Sequence, residues 1–496
     1  MDKKKSAFRQ IFKATSIFGG VQVFNIIISL VRGKLIAVLI GTTGMGLNGL
    51  LNSGINLIKI ISGLGLEQSA IKDISNASGS NDLIRIRTVY SIFRRWIWIT
   101  GILGVILTLI SAPFLSQLSF GDHSHTLSFI LISSTFIFGA LTGGIYTLLR
   151  GLRKISLLAK ASIYGSVLGL FVIIPVYYYW GIKGVVPAII LTSFFSYLVS
   201  LYFKRKVPIE IIPITWHETF VQGKGMVFLG ISLSVSAILS TANNYLLNAI
   251  ITRLGSLSDL GLYNAGMTIM SSYVGMIFTA MGMDYFPKLS ENIDDEKKWQ
   301  DVVNQQGEIQ ILILGPILTL MVATAPILIQ IILSQEFMST IHFLLFASLA
   351  IPLKSLVWIQ GFIIMAKGEN RLFLLTEILA NIVFLVLNVL FYKYFGITGL
   401  GISMFLGFLV SLIIMMIVAK SKFNFMLSRS LILLTISYSI LIGVSISGVL
   451  LMDYPRAYLS GFLMVIIAGY IAYKELNKRL DIKDLLHSFI SKRNKN

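Results

Sequence analysis

The sequence contains no cysteine, which excludes disulfides and thiolate metal sites and leaves the redox compartment unread. Charge is scarce as well: 13% of 496 residues are Asp, Glu, Lys or Arg, while 55% are hydrophobic. A soluble chain of this length cannot cover its surface with so few charges, and the mean hydropathy of +0.82 agrees. Long polar outer loops are missing too. The longest, Ser116–His125, is too short to carry a catalytic domain. There is no carboxylate pair, nucleophile triad or metal-ligand spacing; His123, His125 and His217 stand in loops without partners. The glycine cluster Gly41–Gly46 lacks the Lys-Ser/Thr of a phosphate loop, so it reads as a turn. No cofactor or metal is expected.

What is present is a succession of apolar windows of about 20 residues, each long enough to cross a bilayer, from 14–40 and 44–70 through to 429–451 and 456–473. They predict an all-α polytopic membrane protein of about fourteen transmembrane helices. The N-terminal run, basic and then apolar as far as Ile40, reads as an uncleaved first span. Net charge is +19, yet the basic residues fall in short clusters between the spans. That pattern excludes a nucleic-acid face. With the N-terminus taken as cytoplasmic, about 33 basic residues lie inside against 4 outside, so both termini are expected in the cytoplasm.

The chain also repeats. Trp180-Gly181-Ile182-Lys183-Gly184-Val185 recurs as Phe395-Gly396-Ile397-Thr398-Gly399-Leu400. Arg150-Gly151 recurs as Lys367-Gly368, and Gly65-Leu66-Glu67 as Gly282-Met283-Asp284, all offset by 215–217 residues. A unit of six spans is even, so the halves run parallel with the substrate path between them. The expected organisation is a six-helix lobe over 1–205, a cytoplasmic connector over 206–224 and a second six-helix lobe over 225–420. The lobes enclose a central cavity. An extra helix pair over 428–475 and a basic tail over 476–496 follow.

Four cations remain inside the membrane: Arg32, Lys34, Lys59 and Lys354. Asn48, Asn52, Asn56 and Lys59 fall within an arc of about 80° on a helix of 100° per residue, and so predict a polar stripe facing water or a ligand. Gln22, Asn25, Ser29 and Arg32 share a face of the first helix; Lys34 lies about 160° from the middle of that stripe and can snorkel. Ser236, Ser240, Asn244 and Asn248 step by four along the seventh apolar window, 226–251. Hydrogen bonding between helices is the plain alternative for these asparagines. Glu67, Asp284 and Glu377 stand near cytoplasmic helix ends, as gating or coupling candidates or as interfacial charges. The substrate-binding set expected is therefore Arg32, Lys34, Asn48, Asn52, Asn56, Lys59, Asn244, Asn248 and Lys354.

Cations in a membrane cavity favour phosphate or pyrophosphate, and amide and hydroxyl stripes suit sugars. Together they point to a phosphorylated, sugar-bearing lipid. Arg32-Gly33-Lys34-Leu35-Ile36-Ala37-Val38 with Gly41–Leu47, and Leu353-Lys354 with Ala366-Lys367, Arg371 and Thr376-Glu377, resemble the Wzx-type O-antigen and lipid III flippases of the multidrug/oligosaccharidyl-lipid/polysaccharide exporter superfamily. The resemblance spans about residues 10–420. It implies two six-helix lobes forming a V-shaped cavity, and translocation of undecaprenyl-pyrophosphate-linked oligosaccharide across the bacterial inner membrane by alternating access. It also implies substrate roles for Lys34 and Lys354, and a polysaccharide polymerase complex as a further partner. Two rivals are a drug antiporter of the same superfamily, which needs acidic cavity residues, and a membrane polysaccharide polymerase.

Overall fold

The computed structural model describes the backbone of residues 2–80 and 82–480; the end of the basic tail, 481–496, lies outside the described residues. Among the described residues the chain is almost wholly helical and contains no strand. Among the described residues eleven helical spans are long and apolar enough to cross a membrane. Several exceed one crossing, and the three longest have 41, 50 and 54 residues, where a 54-residue helix runs ~80 Å against a hydrocarbon core of ~30 Å. Each of these three longest spans is interrupted by a glycine in a conformation that a side chain would forbid: Gly41 (φ 63, ψ −166), Gly181 (φ 53, ψ −133) and Gly396 (φ 57, ψ −139).

Contacts divide the chain into two compact units, Met1–Asn264 and Ala265–Asn496. The first holds α1 (Asp2–Gly63), α2 (Leu66–Gly79), α3 (Leu83–Phe120), α4 (Thr126–Ile132), α5 (Ser134–Gly151), α6 (Ile155–Trp180), α7 (Val185–Lys204) and α8 (Trp216–Leu254). The division falls inside α9 (Leu257–Met270), which a π-helical turn at Ser271–Gly275 joins to α10 (Met276–Glu291). The second unit continues with α11 (Glu296–Ile332), α12 (Thr340–Ala366), α13 (Asn370–Phe423), α14 (Arg429–Leu451) and α15 (Tyr454–Leu480).

Helix α8 begins at Trp216, well before the apolar window that starts at 226, and it packs on α1, α2 and α3. The connector ahead of it is pinned to α3. Arg87 pairs with Glu210 at 2.9 Å, the Ile212 amide donates to Ser91 Oγ, and Trp96 Nε1 donates to the Thr219 carbonyl. Thr215 and Glu218 close the start of α8 as a reciprocal capping box. Polar anchors of this kind fix the entry of α8, and the whole helix belongs to the first unit.

The window 44–70 does not form one helix. α1 stops at Gly63, and the left-handed pair Leu64 (φ 50) and Gly65 (φ 61) turns the chain into α2. A methyl on Gly65 would overlap the Gly230 carbonyl, and one on Gly230 would overlap the Leu64 carbonyl. Backbone meets backbone there, and only glycine allows it.

In the second unit α14 and α15 are built into the core. Leu431 fills the space over Gly307, the Tyr438 ring lies on Gly315, and the Tyr438 hydroxyl donates to the Ala468 carbonyl. Arg479 of α15 then ties Glu475 of the same helix to Glu308 of α11. The extra pair is thus an integral part of this unit's packing.

Candidate substrate cavities

The first unit contains a cavity of about 750 Å³. α1 contributes Asn52, Asn56 and Lys59; the first turn of α2 brings Glu67 and Gln68; α3, α5, α7 and α8 add Thr100, Thr135, Ser193, Ser240 and Asn244. The helical spacing of Asn52, Asn56 and Lys59 places them on one wall, as the periodicity requires. Asn56, Lys59 and Asn244 are exposed to the cavity, while Asn52 is half-buried. Asn52 Nδ2 donates to both the carbonyl and Oδ1 of Asn48, which lies outside the lining and orients its neighbour. Lys59 and Glu67 both line the space, and among the described residues neither has an ion-pair partner. Beneath the wall, Tyr245 of α8 shares a 2.7 Å hydrogen bond with Ser119 of α3 and supports Gly54 of α1.

The second unit has a cavity of its own, about 320 Å³, lined by Lys354, Trp358 and Phe362 of α12 and by Thr376, Glu377 and Phe408 of α13 among others. Lys354 Nζ stands 5.2 Å from the centre of the Phe278 ring and 5.9 Å from that of Phe408. Such cation–π contacts partly replace lost hydration. Neither Lys354 nor Glu377 has an ion-pair partner among the described residues. Ser411 adds a buried hydroxyl without a hydrogen-bond partner.

The remaining expected residues lie elsewhere. Arg32 and Lys34 line neither cavity; Arg32 faces α6 within electrostatic reach of Tyr177. The stripe that Arg32 continues serves packing, since Asn25 bonds Ser162 and Ser166 of α6. The side chain of Gln22, from the same stripe, lies outside the described residues. Asn248 is buried and its Oδ1 has no partner; Asp284 is exposed and lines neither cavity. Sequence reading missed the hydroxyls Thr100, Thr135 and Ser193. Each is one hydroxyl among several on its helix, and only the fold shows which of them reach the cavity.

No curated protein matches the chain in sequence. Its fold matches solved structures. One is a lipid II flippase, MurJ, in an inward-closed conformation: TM-score 0.68 and 12% identity, covering 94% of this chain and 99% of that one. A multidrug-resistance MATE-family transporter of the MOP superfamily, inward-facing, gives TM-score 0.68 and 14% identity over 82% of this chain and 94% of that one. A point mutant of the Vibrio cholerae MATE transporter VcmN gives 0.57 and 14% over 86% and 98%. The architecture is thus the one shared by these flippases and transporters, and the protein is a multi-pass membrane protein. The family model described as "Polysaccharide biosynthesis protein" matches residues 35–342, more than half of the chain, and the chain belongs to that family.

Proposed function

We propose that the protein is a flippase for lipid-linked oligosaccharide, taking an undecaprenyl-pyrophosphate-linked repeat unit from the cytoplasmic to the outer leaflet of the bacterial inner membrane. The observation that carries this reading is Lys59: an ammonium with no ion-pair partner among the described residues, on the wall of a 750 Å³ cavity whose polar lining is amides and hydroxyls apart from the single carboxylate of Glu67. A cation so placed needs an anion to complete it, and the surrounding groups suit a glycan. Lys59 would hold the phosphate; Asn52, Asn56 and Asn244 would meet sugar hydroxyls. Exposing the cavity alternately to the two sides of the membrane would move the head group while the lipid tail stays in the bilayer. The fold of the lipid II flippase supports the substrate class, and the family supports the pathway. Both termini would be cytoplasmic, three interrupted helices would bring the crossings to fourteen, and the released unit would pass to a polymerase.

The test is flipping of a fluorescent polyprenyl-pyrophosphate oligosaccharide in proteoliposomes. Wild type should translocate it, and Lys59→Ala should not; equal rates would sink the proposal. A second reading is drug export, which the sequence disfavours for want of acidic residues at mid-depth. Glu67 and Glu377 line one cavity each, and that placement revives it. Proton- or sodium-driven extrusion of a cationic dye from the same vesicles, with no lipid flipping, would establish that reading instead.

A further inference from the structure

The carboxylate in the first cavity sits oddly with a purely anionic cargo. Lys59 and Glu67 stand on either side of the Leu64–Gly65 break, line the same space and do not pair. Glu67 is also held in place. Its Oε1 lies so close to Gly143 of α5 that a methyl there would overlap it, and the break that aims it is locked by the backbone contact between Gly65 and Gly230. An acidic residue in the first turn of α2 complements that helix's dipole, but it would do so equally from the solvent side. Here it lines the cavity instead, with its carboxylate against α5.

Two opposite, unpaired charges in one cavity bear on what binds. A ligand carrying only phosphate would gain from Lys59 and be repelled by Glu67. A ligand carrying both a phosphate and an ammonium group would satisfy both without leaving either charge unpaired. We infer that Glu67 is a specificity-determining residue, and that the glycan handled by this cavity carries a free amino sugar. The inference rests on the flippase reading, and it names the chemistry of the sugar which that reading leaves open.

Two probes separate the cases: polyprenyl pyrophosphate carrying glucosamine, and the same lipid carrying N-acetylglucosamine. They differ in one nitrogen, charged in the first and neutral in the second. Binding to the detergent-solubilised full chain is the readout. Wild type should prefer the amine form by about tenfold, the scale of one charge-assisted contact. Glu67→Gln, nearly isosteric, should weaken the amine form by that factor and leave the acetylated form unchanged or tighter. Gly143→Ala, which displaces the carboxylate without removing it, should also erase the preference. Lys59→Ala should weaken both probes alike. A merely structural Glu67 would move both probes in the same direction on substitution, and that result overturns the inference, as does wild-type binding of both probes without preference. If wild type binds neither probe, the flippase reading falls, and this inference with it.

Discussion

The two units each hold a cavity with one lysine and one glutamate, yet the two spaces are made differently. In the first, six helices (α1, α2, α3, α5, α7 and α8) contribute amides, hydroxyls and the Glu67 carboxylate, and Lys59 is exposed to the space among polar neighbours. In the second, the space is less than half as large, its walls are mostly aromatic and aliphatic, and Lys354 lies half-buried beside two phenylalanine rings. The first offers a ligand hydrogen bonds in several directions. The second offers one ammonium and one carboxylate on an apolar background, where each polar contact is stronger and each unpaired group more costly. Charge alone does not define these sites; what surrounds the charge sets what it can hold.

The largest effect should come from filling each space. Gly139 and Gly361 line the first and second cavity respectively, and a Cβ added at either meets nothing within 4 Å. Gly139→Phe should leave the thermal midpoint in detergent close to wild type while abolishing flipping. Gly361→Phe should also fold, and its effect on transport measures how far the smaller cavity takes part. If Gly139→Phe flips normally, the first cavity is not the path.

Next come the lysines. Losing one partner of a desolvated charge contact costs about 2–5 kcal/mol, so Lys59→Ala should lower flipping at least about thirtyfold. Lys354→Met keeps the stem and removes the ammonium. Because the cation–π contacts return about 0.5–2 kcal/mol against the burial of the charge, the variant should be as stable as wild type or more so. Thermal melts check this, and a markedly lower midpoint would show that Lys354 is structural.

Smaller still should be the packing variants, one per unit. Gly230→Ala drives a methyl into the Leu64 carbonyl, and Gly315→Ala drives one into the Tyr438 ring. Overpacking of this kind costs about 1–3 kcal/mol. A backbone atom has less freedom to give than a ring edge, so Gly230→Ala should be the more destabilising in melting experiments. The reverse order would mean that α8 is less firmly seated than the C-terminal pair.

Much of this contrast is legible in the sequence, for reasons that also mark its limits. The helices are legible because apolar runs of fixed length have one structural meaning in lipid. The repeat is legible because Gly181 and Gly396 adopt nearly the same backbone angles. It extends to Gly184 and Gly399, where a methyl would strike the carbonyl of the residue eight positions earlier in both cases. The match of Gly151 to Gly368 is displaced by two residues: the left-handed helix ends are Arg153 and Gly368, each followed by an amide bonded to the carbonyl five residues back. Gly65 and Gly282 resemble each other in sequence only, since Gly282 lies within α10. Asn52, Asn56 and Lys59 are legible by period, but the same reasoning promotes Asn25 and Arg32, whose face is taken by α6. Periodicity identifies a polar face without saying whether water or a neighbouring helix meets it. The aromatic setting of Lys354 is not legible at all, because Phe278 and Phe408 come from helices distant in sequence.

The mildest effect belongs to the loop between α3 and α4 of the first unit, which lines neither cavity. His125 stacks on Phe120 with ring centres 3.7 Å apart and its Nδ1 lies 2.8 Å from Ser124 Oγ. Burial pushes its pKa below the usual 6.5, partly opposed by Asp122. The folded state therefore binds this proton less readily than the unfolded chain does, so the contribution of His125 is fully present above about pH 6.5 and is lost as pH falls through the lower folded value. His125→Gln should flatten that dependence between pH 8 and pH 5 by a small margin, read as the difference in melting midpoint at the two pH values. Because the loop closes α3 onto α4 and touches neither lysine, flipping by the variant should be unchanged at pH 8. A transport defect there would tie the loop to the path and remove the distinction drawn between the polar cavity and its surroundings.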